Sequence, residues 1–480
     1  MSKRKSKKPE KNTIDIIFSA VFLLISIIFL VLLYMLDKLP LMYYAVVAVI
    51  VFIIALMLIS LQMSKKIHKT NKTLGKIIMA ILSAVMIFGS VYIYRTNSAI
   101  KNIVSDNTNK IEVSVIVLKD SPIESIEDLS QTIGNINVGD YSYIEKALDE
   151  IREVNSAFSI QDYVAFDRFA DALYNGDVEA IILNEAFRSQ FDENHPEFSN
   201  ETRVIQSYVY EEEQKDISVN VDVTSEPFTV YLTGIDQSGS ISTVGRSDVN
   251  KVMTVNPATH QIFIVDIPRD YYIPQVCQAN QLDKLTHTGI FGVDCTVESV
   301  SNYMGIDINY YVRINFSSLE KIVDALGGID VNSEYAFSAG GYTFTQGVNH
   351  LNGAQALAFS RERYSFGGGD NVRIANQTRV LTGIINKVTS PAIITNYLSF
   401  LDAISGTFQT NMSESEINSL IKMQLNDMQG WTITSDALTG TGGTDWTPAN
   451  GFNAYVMYPD ETSLERVLGE IRAIKEGSSE

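Results

Sequence analysis

The chain is poor in soft metal ligands: its 480 residues include two cysteines and five histidines, and no HExxH run occurs. Cys277 and Cys295 each lack a second ligand at a usual spacing, and His287 stands alone between them, which argues against a zinc centre. Positive charge is also short. Against 56 Asp and Glu stand 37 Lys and Arg, a formal net charge of -19. A cluster of arginines in so acidic a chain points to a local site for an anion, whose oxygens guanidinium forks match two at a time. A cleavable signal is missing too: that needs one short apolar core and a small-residue cleavage site, whereas the apolar segments here repeat and are too long.

What is present begins with three apolar stretches, about Ile14–Leu36, Leu41–Met63 and Ile77–Tyr94, each near the roughly 20 residues a helix needs to cross a bilayer. Lys3, Arg4, Lys5, Lys7, Lys8 and Lys11 precede the first. Lys65, Lys66, Lys69 and Lys72 fill the second loop, while the first loop offers only Asp37 and Lys38. Basic residues in short loops stay cytoplasmic, so the tail 1–13 is expected inside, the spans occupy 14–94, and everything after about Arg95 is expected outside. Asp15, at the start of the first span, is expected to reach interfacial water rather than hold an ion. Outside the membrane the compartment permits oxidation, so Cys277 and Cys295 are either bonded to each other or two buried thiols.

The external region exceeds one typical domain. The polar stretch Ser105–Lys110 and the acidic run Glu211–Asp216 read as boundaries, giving an accessory domain over 105–215 and a second domain over 218–480. In the first, Ile111–Leu118 reads as a strand, Ser125 and Asp128 as a capping box, Phe166–Leu173 as a helix stopped by Asn175-Gly176, and Val178–Leu183 as a returning strand. SPIESIEDLSQTIGNINVG and NGDVEAIILN resemble one lobe of a periplasmic solute-binding protein. That resemblance implies a ligand or protein docking module; a spacer lifting the next domain off the membrane is the alternative. In the second domain Phe228–Ile235, Lys251–Val255, Ile262–Ile267 and Tyr311–Ile314 read as strands, and Phe316–Leu326 as a helix ended by Gly327-Gly328. Strands alternating with helices predict a layered α/β domain whose ligand site lies beyond the carboxyl ends of the strands.

Candidate residues fall at those ends. Asp236 follows Phe228–Ile235, and Arg246 and Asp248 open the next strand two apart, on one face. Two carboxylates from adjacent elements outline a magnesium site, because that hard cation takes one or two carboxylates with waters and phosphate oxygens. A loop turn at Asp236-Gln237-Ser238-Gly239 is the alternative. Arg269 follows Ile262–Ile267, with a salt bridge to Asp270 as its plain reading. The run Ala356–Leu381, ALAFSRERYSFGGGDNVRIANQTRVL, has Arg361 and Arg363 two apart in an expected strand and a flexible Gly367–Gly369 loop. Asp370 follows, and then Arg373 and Gln377 one turn apart on a helix.

The order GID, GRSD, IPRD, KLTHTGIFGV, DALGGIDV and LNGAQALAFSRERYSFGGGDNVRIANQ, over about Phe228–Leu438, resembles the LytR-CpsA-Psr (LCP) family. The three spans with an accessory domain resemble its capsule-associated streptococcal branch, CpsA. The resemblance implies three transmembrane helices, a small α/β accessory domain and a layered α/β/α catalytic domain. It also implies a polyprenyl pyrophosphate-linked glycan as substrate, with transfer of the glycan phosphate to peptidoglycan. Carried over by motif, Asp236 and Asp248 match the magnesium ligands. Arg246, Arg269, Arg361, Arg363 and Arg373 match the pyrophosphate-binding arginines, and Gln377 the glutamine at the head group; Lys284, in KLTHTG, matches without a settled role. Asp236, Asp248, Arg269 and Arg361 would carry the catalysis. Asn376 departs from the pattern, since the family often has arginine at or just before it. The lipid needs an apolar groove; the strands and Phe316–Leu326 offer apolar residues that would equally fill an ordinary core.

Other classes compete. The basic tail can attract DNA phosphates, yet about a dozen residues before the first span leave no room for a helix-turn-helix, so nucleic acid is not an expected partner. A magnesium-dependent pyrophosphatase would use the same anion site with water as nucleophile, and a receptor would bind the lipid-linked glycan without turnover. Which polysaccharide is carried, and whether capsule synthesis or export proteins assemble with the chain, stay open.

Overall fold

The computed structural model describes residues 13–35, 41–64, 66–104, 108–136, 142–215, 217–235, 244–367, 370–405 and 407–477. Two compact units are present. One runs to Lys101 and includes Ile417–Met428; the other comprises Asn102–Glu416 and Gln429–Glu480.

The first unit contains α1 (Thr13–Met35), α2 (Leu41–Met63) and most of α3 (Lys69–Val104). Three helices are long and apolar enough to cross a membrane, over Thr13–Met35, Leu41–Met63 and Lys69–Thr96. Large apolar side chains such as Leu24, Phe52 and Phe88 point outward, the arrangement that suits a lipid solvent. Asp15 departs from expectation. It does not reach water but is 6% exposed, with Lys76 at 2.5 Å and Lys72 at 3.4 Å. A lone carboxylate among apolar helices is costly, so the two ammonium groups draw it inward, and the beginnings of α1 and α3 therefore share one end of the bundle.

The second unit is built on two sheets. The first has β1 (Thr108–Leu118), β2 (Thr132–Ile136), β3 (Ser159–Tyr163), β4 (Ala180–Asn184) and β5 (Thr202–Glu213) in the order β3-β2-β4-β1-β5, with helices α4 (Ser142–Val154) and α5 (Phe166–Asn175). Helix α5 ends at Gly176 (φ 77°), and the Asp128 carboxylate accepts the Ser125 N–H at 3.1 Å, as their sequences predict. The acidic run Glu211–Asp216, read as a boundary, begins inside the last strand of this sheet: Glu211–Glu213 pairs in register with Thr108–Lys110. An edge strand has one side open to water, so it tolerates charge that an interior strand would not. This module shares its core with the second sheet's domain. Val244 and Ile290 complete its apolar cluster, and the Phe187 and Phe291 rings meet edge to face at 5.9 Å. Gly451 (φ 75°) lies so close to the Val164 carbonyl that a Cβ there would sit 2.2 Å from the oxygen.

The second sheet combines β6 (Phe228–Ile235), β7 (Ser247–Asn256) and β8 (Gln261–Asp266) with three later strands; β9 (Tyr272–Gln275) and β10 (Gln281–Lys284) form a hairpin beside it. The later strands are β11 (Tyr310–Asn315), β12 (Phe408–Thr410) and β13 (Thr432–Ala437), and the order is β12-β11-β6-β7-β8-β13. Every residue of β6 is buried because helices cover both faces, which is why it reads as one unbroken apolar run. On one face, α6 (Val293–Met304) and the carboxyl-terminal helix Glu461–Glu476 pack over Tyr231, Val252 and Val265. On the other, α7 (Phe316–Ala325) and α9 (Asp370–Val388) lie over Leu232 and Val249. Strand β7 is antiparallel to both neighbours, whereas β11 runs parallel to β6 and β13 to β8. The carboxyl ends of β6, β8, β11 and β13 and the amino end of β7 thus share one edge.

One expectation fails in this domain. Arg361 and Arg363 are not in a strand: Arg361 closes the helix α8 (Gly353–Arg361), and Arg363 lies two residues beyond it. The Asn352 side chain caps that helix while the Gln355 side chain returns to the Asn352 N–H, a start signal that outweighs the local alternation. Cys277 and Cys295 are bonded, with 18 residues of separation. Replacing both by serine is expected to lower the unfolding free energy by about 3 kcal/mol, read as a fall in thermal midpoint of the full-length protein in detergent; an unmoved midpoint would show that the bond constrains little.

Candidate functional site

The shared edge assembles the site. Ser247, which precedes Asp248, pairs with Ile235, which precedes Asp236; Asp236 itself lies outside the described residues. Asp248 Oδ1 accepts from Arg269 Nη1 at 3.0 Å and from Thr286 Oγ1 at 3.0 Å. Arg269 comes from the turn after β8, and its Nε is 3.8 Å from Asp270, so the plain salt bridge exists beside the Asp248 contact. Lys284 ends β10 and lies 3.8 Å from the same Asp270. Asp248, Arg269, Arg373 and Gln377 line one small polar pocket, the last two on consecutive turns of α9.

Other candidates stand apart from that pocket. Arg246 Nη2 is 3.3 Å from Asp192 of the accessory module. Arg361 and Arg363 are exposed at the end of α8, outside the pocket wall. Asn376, the departure from the family pattern, is buried and accepts Arg379 Nη1 at 2.8 Å.

Beneath the pocket lie groups that sequence reasoning missed. The Lys251 ammonium contacts the Asp266 carboxylate and donates to Thr378 Oγ1 at 2.7 Å, and that hydroxyl donates to Asp266 at 2.7 Å. Lys251 is 2% exposed and Asp266 5%. The available signal was a lysine at the head of an otherwise apolar strand. Val249, Lys251 and Gln377 also border a second cavity of ≈ 60 Å³, lined mostly by apolar side chains such as Leu232, Leu319, Val380 and Ile384, with Asn315 and Ser360 among them. Leu319 therefore faces space rather than only core. The polar pocket and the apolar cavity share a wall.

Thr286 was also missed as a site residue, although it stands in KLTHTG. It sits in the short helix Leu285–Thr288, which a buried pair holds in place: His287 Nδ1 is 2.8 Å from Asp283 Oδ1, and the Asp283 carboxylate accepts the N–H groups of Lys284 and Ala449. Burial opposes charge on Asp283, but His287 and these N–H groups win and hold its carboxyl below the usual range.

Among the described residues no group of three or more His, Cys, Asp or Glu converges on a metal-sized space. Among the described residues that line the pocket, Asp248 is the carboxylate. Such a donor set fits a magnesium ion completed by phosphate oxygens and waters rather than a cage made by protein.

Fold and site together define a chain with apolar spans and an α/β/α domain that sets an anion pocket against an apolar cavity. The family described as LytR_cpsA_psr matches residues 197–472, and the chain belongs to that family. A second description, DNA polymerase processivity factor, matches residues 65–183. The polyisoprenyl-teichoic acid–peptidoglycan teichoic acid transferase TagU of Enterococcus faecalis is 39% identical over 239 residues, which is 49% of this chain and 77% of that protein. The TagU of Bacillus subtilis is 34% identical over 261 residues, 54% and 80% of the two chains. The crystal structure of B. subtilis TagU aligns over 53% of this chain and 98% of its own with 32% identity and a TM-score of 0.41.

Asp266→Ala is expected to strand the Lys251 charge and destabilise the fold by about 3–5 kcal/mol, and Lys251→Met with Asp266→Leu to recover most of that loss. Denaturant titration measures both. A double variant as unstable as the single would show that the ion pair itself sustains the fold.

Proposed function

We propose that this chain is an extracytoplasmic phosphotransferase that moves a glycan phosphate from a polyprenyl pyrophosphate carrier to peptidoglycan. The observation that carries the reading is the convergence of Arg269 and Arg373 with Asp248 and Gln377 on one polar pocket at the sheet edge, with an apolar cavity sharing its wall. The names of the TagU relatives, which specify a polyisoprenyl-linked polymer and a peptidoglycan acceptor, support it.

In this reading a wall-sugar hydroxyl oxygen attacks the glycan-side phosphorus. The bond from that phosphorus to the bridging oxygen breaks, polyprenyl phosphate leaves with the electron pair, and the hydroxyl proton passes to a site carboxylate or to water. Phosphoryl transfer needs positioning and charge stabilisation above all. Opposite charges near 4 Å attract by about 4 kcal/mol at an effective dielectric of 20, so Arg269 and Arg373 offset the repulsion between Asp248 and a doubly charged pyrophosphate. Thr286 keeps Asp248 oriented. Arg361 and Arg363 are proposed to reach the pyrophosphate from the end of α8, Arg246 to exchange Asp192 for a phosphate oxygen, and Lys284 to steady Asp270 beside Arg269. Asp236 and Asp248 are proposed to hold magnesium, which when bound neutralises charge on the phosphate oxygens.

Capsular polysaccharide is the proposed polymer, on the likeness of the spans and accessory module to the streptococcal branch; teichoic acid, named for the relatives, would use the same linkage chemistry. The chain is proposed to sit in the cell membrane with its amino terminus cytoplasmic and both globular modules outside. The lysine distribution and the Cys277–Cys295 bond support that placement.

Arg269→Ala and Arg361→Ala are each expected to lower transfer by about 10²–10³-fold with an unchanged thermal midpoint. The assay supplies full-length protein with labelled polyprenyl pyrophosphate-glycan and peptidoglycan. Label bonded to the wall marks a transferase. Free glycan phosphate would mark a hydrolase, and wild-type rates in both variants would remove the arginines from the reaction.

A further inference from the structure

The chain after β13 forms a hairpin, β14 (Gly440–Thr447) and β15 (Phe452–Pro459). The antiparallel register sets Trp446 opposite Asn453 and Thr444 opposite Tyr455, and residues two apart on a strand share a face, so all four side chains lie on one side of the ribbon. The middle of the other side is buried, with Ala454 at 2% and Val456 at 0% exposure. The first side is open: Trp446 is 51% and Tyr455 49% exposed, and Thr444 and Asn453 are exposed between them. Half-exposed tryptophan and tyrosine on a two-stranded ribbon contribute little to a core. Each presents an apolar face and a polar edge.

The glycines of β14 keep this face flat. A Cβ at Gly442 would sit 2.9 Å from the Tyr455 hydroxyl and 3.0 Å from its ring, so the bare backbone lets the ring lean across the neighbouring strand. The ribbon is fixed at both ends. The Tyr272 hydroxyl donates to the Trp446 carbonyl at 2.7 Å, and the Met457 N–H donates to the Asp270 carbonyl at 2.8 Å. Asp270 adjoins Arg269 and faces Lys284, so the open face begins beside the anion pocket. Tyr455 is two residues from Met457, a separation of roughly 7 Å along a strand.

We propose that the Trp446–Tyr455 face is the docking platform for the acceptor, a neutral N-acetylated glycan strand, and that it presents the attacking sugar hydroxyl to the neighbouring anion pocket. The C–H face of a pyranose stacks on an aromatic ring, while Asn453 and Thr444 offer hydrogen bonds to ring substituents and acetamido groups. Charge selects this occupant over the donor polymer. The hairpin carries Asp445 and has neither lysine nor arginine from Gly440 to Pro459, so nothing on it attracts a phosphate-bearing chain, whereas an uncharged strand meets no repulsion. An open ribbon also suits a long polymer entering and leaving sideways better than a closed cavity would. The proposal rests on the peptidoglycan-transfer reading for its acceptor.

The test has two arms on the full-length protein in detergent. In the first, Trp431→Phe leaves Trp446 as the sole tryptophan, and its fluorescence is titrated with the uncharged N-acetylglucosamine tetrasaccharide. A saturable shift is expected; no shift, or a shift with donor glycan fragments alone, overturns the proposal. In the second, Trp446→Ala and Tyr455→Ala are each expected to raise the acceptor KM about tenfold while the KM for the lipid donor stays unchanged, and Trp446→Phe to restore part of the loss. Unchanged acceptor KM in both alanine variants overturns it, as does an equal rise in donor KM, which would signal general damage. The binding arm is independent of turnover. If the protein binds the tetrasaccharide but transfers nothing, the transferase reading falls and the platform stands; if transfer is normal without binding, the reverse holds.

Discussion

The buried contact of Lys251 with Asp266, closed by the Thr378 hydroxyl, is the constraint on which the catalytic module depends. It ties β7, β8 and α9 together at the point where the polar pocket and the apolar cavity meet. Two buried charges rarely add net stability over apolar residues of the same size; what they confer is position. Thr378 is the neighbour of Gln377 and lies in the second turn after Arg373, so fixing its hydroxyl fixes the phase of α9 and with it two residues of the anion pocket. The Lys251 side chain, with Val249 and Gln377, borders both cavities.

The accessory module bears on the same site from outside. Val244, at the entry to β7, belongs to its core, and Arg246, two residues on, pairs with its Asp192. The stretch leading into Asp248 is therefore held by the accessory module before it enters the catalytic sheet. The turn of the hairpin meets the module as well, through Gly451 against Val164 and through the Phe166 N–H donating to the Asn450 carbonyl. A substitution inside the accessory core can thus reach the anion pocket through the backbone of β7, without any accessory residue touching substrate.

The sequence was most legible where periodicity and burial agree. Strand β6 is buried throughout because both of its faces are covered, and α7 shows its buried stripe and its glycine stop openly. The strands β2, β3 and β5 were harder. Ser159–Tyr163 has no buried residue and Thr202–Glu213 is mostly polar, as edge strands are, so composition gave no contrast with a loop. In the site, the spacing of Arg373 and Gln377 survives because a helix preserves it. The spacing of Arg361 and Arg363 misled, since alternation in a short polar run cannot be told from the last turn of a capped helix. Lys251, Thr286 and Asp192 lay beyond reach for a different reason: their roles arise from partners distant in the chain, and a single sequence does not carry those pairings.

In an acidic chain the cationic groups of the site do not wait bare. Arg269 rests against Asp248 and Asp270, Lys284 against Asp270, and Arg246 against Asp192. Each carboxylate holds its cationic partner in place, and in the proposed function a phosphate oxygen would take its position, so the desolvation cost is partly met before substrate arrives. Binding a pyrophosphate then becomes an exchange of anions rather than the creation of new ion pairs. That exchange lowers affinity relative to bare arginines, because carboxylates must be displaced, but it spares the site the reorganisation that weakens electrostatic stabilisation of a transition state. It also releases Asp248 Oδ1 from Arg269 at the moment when a cation beside the phosphate would most need a carboxylate. In the proposed function Asp248 would serve first as a placeholder for the substrate and then as a ligand for its counterion, so that one carboxylate manages both charges.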